Sequence, residues 1–208
     1  MRGETDDAIR RVILIGRLSL YGPNASRLHD ELVMVTSRWV DPISRKEPLK
    51  PYAEDSEKYT IQMLEKSFEQ VRGRSVRTEV EDKLKANAPN DIAELLPYLQ
   101  KRAEAAAVKA TELLQKRGEK ESKELRAIIE NQRKRILKLQ GEDSSQMTLG
   151  FDERELRQRE TERKAWNKRL SDIDSELDTE PAQIVRNYQV KTCRVEPIGV
   201  VYLWPISG

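Results

Sequence analysis

Apolar residues along this chain keep three different rhythms, and each rhythm predicts a different element. In RRVILIGRLSLYG, from Arg10 to Gly22, β-branched and aliphatic residues alternate after Gly16, and Gly22-Pro23 then closes the run. That pattern predicts a strand ending in a turn. In SRLHDELVMVTSRWV, Leu28, Leu32, Val35 and Trp39 recur at helical spacing behind a cap at Asn24 or Ser26. A helix is expected there, with strand left open for the β-branched VMVTSRWV at its end. Pro42, Pro48 and Pro51 in DPISRKEPLKPY dictate an ordered loop or an extended crossing, because proline fixes φ and removes a backbone donor. Helix is expected again from about Asp55, with Tyr59, Met63 and Phe68 or Leu64 on its apolar side and Gly73 at its end.

The third rhythm is a heptad. Pro89, Asn90 and Asp91 read as a helix start, after which Leu99, Ala103, Ala106, Ala110 and Leu113 repeat at steps of four and three. The phase slips near Gly118 and resumes as Leu125, Ile129, Gln132, Ile136 and Leu139. Beyond the polar loop QGEDSSQMTLG, the positions Leu156, Arg159, Arg163, Trp166, Leu170, Ile173 and Leu177 keep steps of three and four throughout. Two such helices joined by a short loop bury their seams by folding back as an antiparallel hairpin. The second, of roughly 28 residues, would be about 40 Å long. Glu112/Lys116, Glu119/Lys123, Glu130/Lys134, Glu153/Arg157, Glu155/Arg159 and Glu160/Lys164 place an acid four residues before a base, which supports a highly charged helix.

Asp178, Thr179, Glu180 and Pro181 are expected to break that helix, with a short helical stretch around Ile184 and Val185. YQVKTCRV and GVVYLWPI then read as two strands on either side of Glu196-Pro197. Neither is stable as an isolated hairpin, and RVILIGRLSL is the strand available to join them. The expected fold is therefore α+β and mainly helical. A small α/β base (residues 1–84 and 182–208) holds a short antiparallel sheet joining the N- and C-terminal strands, and a long coiled-coil hairpin arm (85–181) is inserted.

Composition agrees: charged residues make up 36% of the chain and aromatic ones 5%, which suits long solvated helices better than a large core. The formal net charge of +2 gives no long-range pull toward nucleic acid or an acidic membrane, so any such contact must be local. One cysteine, Cys193, and one histidine, His29, leave no disulfide framework and no Cys/His zinc site, and the expected compartment is the cytosol. No targeting segment or apolar run long enough to span a bilayer is read, and no membrane partner is expected.

Candidate chemistry is sparse. The chain contains no GxxxxGK[ST], no DExH box and no GxGxxG, so it is expected to hydrolyse no nucleotide by itself and to need no cofactor or metal. His29, followed by Asp30 and Glu31, is expected to cap or pack, since consecutive helical residues diverge. Cys193 is expected to be a buried, inert thiol. Arg159 and Arg163 occupy seam positions: either their stems lie beside Gln132 and Ile136 with the heads on Glu, or they mark a docking point for DNA or a partner domain. Arg133, Lys134, Arg135 and Lys138 form the densest basic cluster, a phosphate contact or a solvated face. Gln146, Leu149 and Phe151 in QMTLGF resemble the QxxLxF peptide by which bacterial DNA-processing proteins hold the sliding clamp, or else cap the hairpin.

Four phrases, GRLSLYGPNASRLHDELVMVTSRWVDP, APNDIAELLPYLQKRAE, QMTLGFDERELRQRETERKAWNKRL and EPIGVVYLWPISG, carry a resemblance over essentially the whole chain. They resemble the C-terminal region of large bacterial Swi/Snf-type superfamily-two helicases of phage defence, of the DISARM (DrmD-like) kind. The resemblance implies an accessory region beside two RecA-like lobes that bind ATP and translocate on duplex DNA. The related RapA-type ATPases carry a spacer of mixed α/β with antiparallel helices. The motor motifs are missing from this chain, so no catalytic residue carries over. ATP-dependent activity would belong to a parent polypeptide or a separately encoded partner. Motor lobes, duplex DNA, defence-system subunits and the sliding clamp are the expected partners, and a freestanding coiled-coil scaffold without a nucleic-acid role is the alternative.

Overall fold

The computed structural model describes residues 9–70, 76–145 and 152–205. Three strands, β1 (Arg11–Tyr21), β2 (Arg27–Arg38) and β3 (Thr192–Leu203), form one antiparallel sheet in the order β2-β1-β3. Three helices accompany it: α1 (Glu54–Gln70), α2 (Thr78–Ser145) and α3 (Glu153–Asn187). The fold is α+β and mainly helical, and its sheet joins the first and last strands through the central β1, as the apolar rhythms predict.

Two stretches of the sheet differ from expectation. The helix expected from Leu28 to Trp39 is strand β2, because pairing with β1 satisfies its backbone and buries Val33, Val35 and Thr36 of the β-branched stretch for which strand was left open. Leu32 is 60% exposed and Val35 1%, so the two do not share a buried face. A tight turn sets the pairing: Gly22 N–H donates to Ser26 O at 2.8 Å, and Asn24 and Ala25 adopt φ of 55° and 57°. At the other end, the two strands expected around Pro197 are one strand. Ile15 faces Gly199 and Gly16 faces Pro197, so Ile198 is the extra residue of a bulge. An edge strand tolerates proline at such an irregularity.

The chain forms two compact units. The first holds the sheet, α1 and α2 up to Ala110; the second holds Thr111–Val190 and the turn Gly22–Ser26. The two units part at Ala110/Thr111 and Val190/Lys191.

In the first unit, one sheet face carries Val12, Leu14, Leu18 and Leu20 under α2, whose Leu84, Leu95, Leu99 and Ala103 are buried. Gly16 makes this approach feasible, since a Cβ there would lie 2.6 Å from Leu99 Cδ2. The opposite face packs Ile13, Val201 and Leu203 against Met63 and Leu64 of α1, with Ile15 and Met34 at the margin. The inner side of α1 is therefore Thr60, Met63, Leu64 and Ser67; of the alternatives Phe68 and Leu64 it is Leu64 that is buried, and Tyr59, expected on the apolar side, is about half exposed. Helix α2 begins at Thr78, so Pro89 and Pro97 lie inside it and Pro89 does not start it. Leu84, Leu95 and Leu99, packed on either side of the prolines, hold the helix across the missing donors.

In the second unit, Arg126 meets Leu177, Arg133 meets Asp174 and Gln140 meets Asn167. Numbers rise along α2 as they fall along α3, which defines the antiparallel hairpin. On α3 the predicted seam is the less exposed side from Arg159 onward, and Ile173 is fully buried. The seam does not stop at Pro181: α3 runs 35 residues, about 52 Å at 1.5 Å per residue, through a proline that cannot donate to the carbonyl of Leu177. Arg126 Nη2 donates to that carbonyl instead, at 3.4 Å. On α2 the inward positions are Leu114, Gly118, Leu125, Ile129 and Ile136, while Leu113 and Leu139, expected on the seam, are exposed. Gly118 is thus in phase, and a Cβ there would lie 2.9 Å from Tyr188 Cβ.

Candidate functional site

The most concentrated polar chemistry of the first unit is buried. Asp91, on α2, has a fully buried side chain. Its Oδ2 accepts from Trp39 Nε1 at 2.9 Å and from the Tyr202 hydroxyl at 2.8 Å, and its Oδ1 accepts from Arg45 Nη1 at 2.9 Å. The other arm of the Arg45 fork reaches Glu94 Oε1 at 2.5 Å, and Glu94 Oε2 accepts the Leu49 N–H at 2.8 Å. Burial, and then the hydrogen bond to Asp91, push the Tyr202 phenol far above its ordinary value, so it stays a donor. Both oxygens of Asp91 are committed, which suits holding rather than proton transfer. What the cluster holds is the proline-rich segment 41–51, fastened further by Lys83 on Asp41 and by the buried Leu49.

Around it the aromatics interlock. Trp39 meets Trp204 edge-on at 5.2 Å and Tyr202 at 6.4 Å, and the Arg10 guanidinium sits 4.3 Å above the Trp204 ring. A cleft of about 250 Å³ beside them is lined by Leu84, Ala88, Val200, Tyr202 and Trp204, with Glu81 and Lys85 at its rim. Sequence reasoning took Asp91 for part of a helix start and missed Arg45, Glu94 and Tyr202. The available signal was the Asp91/Glu94 pair, three apart on a helix with apolar neighbours.

His29 and Cys193 both need correction. His29 lies on a strand, where positions two apart share a face, so its Nε2 sits 3.1 Å from Glu31 Oε2 at the surface and neither caps nor packs. Cys193 is exposed on β3 and is not buried. Nearby on the sheet, Arg17 and Ser19 hydrogen-bond Asp30 and hold its carboxyl well below the usual range, the Arg17 bond being the larger cause. Among the described residues no group of three or more His, Cys, Asp or Glu is placed to hold a metal ion.

The basic residues singled out from the sequence fall in the second unit. Arg133 Nε is held by Asp174 at 2.9 Å across the hairpin, which ties α2 to α3. Lys134 and Arg135 are exposed and form no ion pair among the described residues, and Lys138 lies 3.7 Å from Glu142 one turn on. Arg159 and Arg163 are half-buried on the seam, as their heptad positions dictate. Gln146, Leu149 and Phe151 lie outside the described residues. Of the acid-first pairs, Glu153–Arg157 and Glu160–Lys164 form; Arg117–Glu121, Lys120–Glu124 and Lys138–Glu142 run base-first.

At the hairpin's other end, the Tyr188 hydroxyl donates to Glu121 Oε2 at 2.8 Å, and the Arg117 guanidinium lies 5.6 Å from the same ring. These bonds lower the Glu121 carboxyl, Arg117 contributing most, and raise the Tyr188 phenol, through Glu121 first. The cluster fastens α3 to α2 around Gly118. No helix among the described residues is long and apolar enough to cross a membrane. Compared with family models, curated proteins and solved structures, the chain matches none.

Proposed function

We propose that this chain is a non-catalytic accessory module of a DNA-translocating motor of the Swi/Snf type in bacterial defence, with the sheet unit docking the motor and the helical hairpin contacting duplex DNA. The defence and motor assignments rest on the resemblance of the four sequence phrases. The observation that supports a DNA contact is the basic cluster late in α2, where Lys134 and Arg135 stand exposed and unpaired among the described residues beside Lys138. ATP hydrolysis belongs, on this reading, to motor lobes in the same polypeptide or in a separate cytoplasmic subunit. Other defence subunits, or a sliding clamp at Gln146, Leu149 and Phe151, are further partners of the same assembly.

Phosphate neutralisation makes affinity fall with salt at a slope of about −0.9 per phosphate. Replacing Lys134, Arg135 and Lys138 by Ala is expected to reduce that slope by about 2 to 3 in a duplex titration. Arg133 is left in place because it secures the hairpin. A variant with unchanged affinity and slope would remove α2 from the interface. A second reading, a coiled-coil scaffold, is favoured by the exposed Leu113, Ile128 and Leu139 on α2. Sedimentation equilibrium tests it, since a scaffold predicts self-association that Leu113→Lys and Ile128→Lys abolish.

A further inference from the structure

We propose that the outward face of α3, carrying Arg154, Arg157, Lys164 and Lys168, is a sequence-independent binding surface for the phosphate backbone of duplex DNA. The inference rests on the reading that this chain contacts DNA, and it adds to the late α2 cluster a second contact on α3.

The face is defined by spacing. Arg154, Arg157, Thr161, Lys164, Lys168 and Ser171 follow one another at steps of three and four, the same period as the seam but on the opposite side of the helix. All six are exposed, while the seam residues Arg163, Trp166, Leu170 and Ile173 are turned to α2. No acid stands on this line between Arg154 and Ser171. Glu153, Glu155, Glu160 and Glu162 flank it, and the balance of charge turns acidic from Asp172 through Glu180. The charge of α3 is therefore segregated along its length, with a basic outer stripe that ends where the acidic stretch begins.

Ordinary helix stabilisation accounts for only half of the stripe's charge. Arg154 and Lys168 form no ion pair among the described residues. Arg157 and Lys164 meet Glu153 at 3.6 Å and Glu160 at 2.9 Å, and all four of these side chains are at least 67% exposed. Pairs so open to water are loosened by salt and yield readily to a polyanion. From Arg154 to Lys168 the stripe spans about 21 Å of helix, the axial rise of about six phosphates of one strand. Ser171 adds a hydroxyl of the kind that bonds phosphate oxygens, whereas the Thr161 hydroxyl donates within the helix to the Arg157 carbonyl at 2.9 Å. No large apolar side chain lies on the stripe, which disfavours a lipid surface, where an amphipathic helix needs one.

The test is a salt titration of full-length protein against a fluorescent duplex of arbitrary sequence, with helicity checked by circular dichroism. Arg154→Gln, Arg157→Gln, Lys164→Gln and Lys168→Gln together are expected to reduce the salt slope by about 3 to 4, at about 0.9 per phosphate. The charge-conserving set Arg154→Lys, Arg157→Lys, Lys164→Arg and Lys168→Arg is expected to restore it. An unchanged slope in the glutamine variant, with loss on substituting Lys134, Arg135 and Lys138, would overturn the α3 assignment and leave the DNA-binding reading standing. Failure of the unsubstituted protein to bind duplex at low salt would overturn both. Equal affinity for polyglutamate would assign the stripe to an acidic protein and overturn the nucleic-acid proposal.

Discussion

Asp91 gathers three donors that lie far from it in the chain, and its burial makes each of them matter. Replacing it by Ala strands the Arg45 guanidinium, whose side chain is 9% exposed, beside a lone Glu94. Breaking a buried pair of this kind costs about 3 to 5 kcal/mol. Urea denaturation of Asp91→Ala is expected to show a loss of that size, and adding Arg45→Met is expected to recover part of it. Gly118 makes the complementary point about space. Alanine would gain about 1 kcal/mol of helix propensity there. Its Cβ would press on Tyr188 Cβ at 2.9 Å and Cδ2 at 3.0 Å, however, and overpacking costs about 1 to 3 kcal/mol. Gly118→Ala is expected to lower the melting temperature, and the sign is expected to reverse in a Tyr188→Gly background, which removes the Cβ that the alanine meets. A double-mutant cycle reads the coupling directly.

At the scale of elements, the prolines show how far local rules reach. Pro97 is exposed within α2 and removes a helical hydrogen bond without gaining a buried contact. Pro97→Ala is expected to raise stability by up to about 3 kcal/mol, seen as a higher urea midpoint. Pro181 is buried, and Arg126 occupies the carbonyl it leaves open, so its replacement is expected to gain less. The same contrast explains what could be read from the chain. The α3 seam was legible because its period persists over several turns. Strand β2 was not, because Leu28, Leu32, Val35 and Trp39 satisfy helical spacing, and only the partner β1 decides. The continuity of β3 was hidden because Pro197 resembles a break until a bulge accommodates it. Of the candidate site, the late α2 cluster was visible as a charge run, whereas the Asp91 cluster depends on contacts between residues as distant as Asp91 and Tyr202.

For the whole molecule, acid and base act at opposite ends of the pH scale. Hydrogen bonds from Arg17, Lys83 and Arg117 lower the carboxyls of Asp30, Asp41 and Glu121 respectively, so their contribution is present above about pH 4 and fades as pH falls below it. Tyr188 and Tyr202 are raised, so theirs is complete below about pH 10 and fades as pH rises further. Thermal melts are expected to plateau between about pH 5 and 9 and to fall on both sides. Deleting residues 199–208 takes Val201 and Leu203 out of the α1-side core and is expected to abolish the cooperative transition seen by Trp39 fluorescence. Helicity of Thr111–Val190 is expected to survive, because that unit packs on its own seam. The bond from Trp39 to Asp91 has one more use. Of the three indole protons, those of Trp39, Trp166 and Trp204, the one on Trp39 points at a buried carboxylate and should resonate apart from the others and exchange slowly with deuterium. A partner that pried segment 41–51 from its helix would move that single signal, so the fold carries its own spectroscopic gauge of whether the latch is shut.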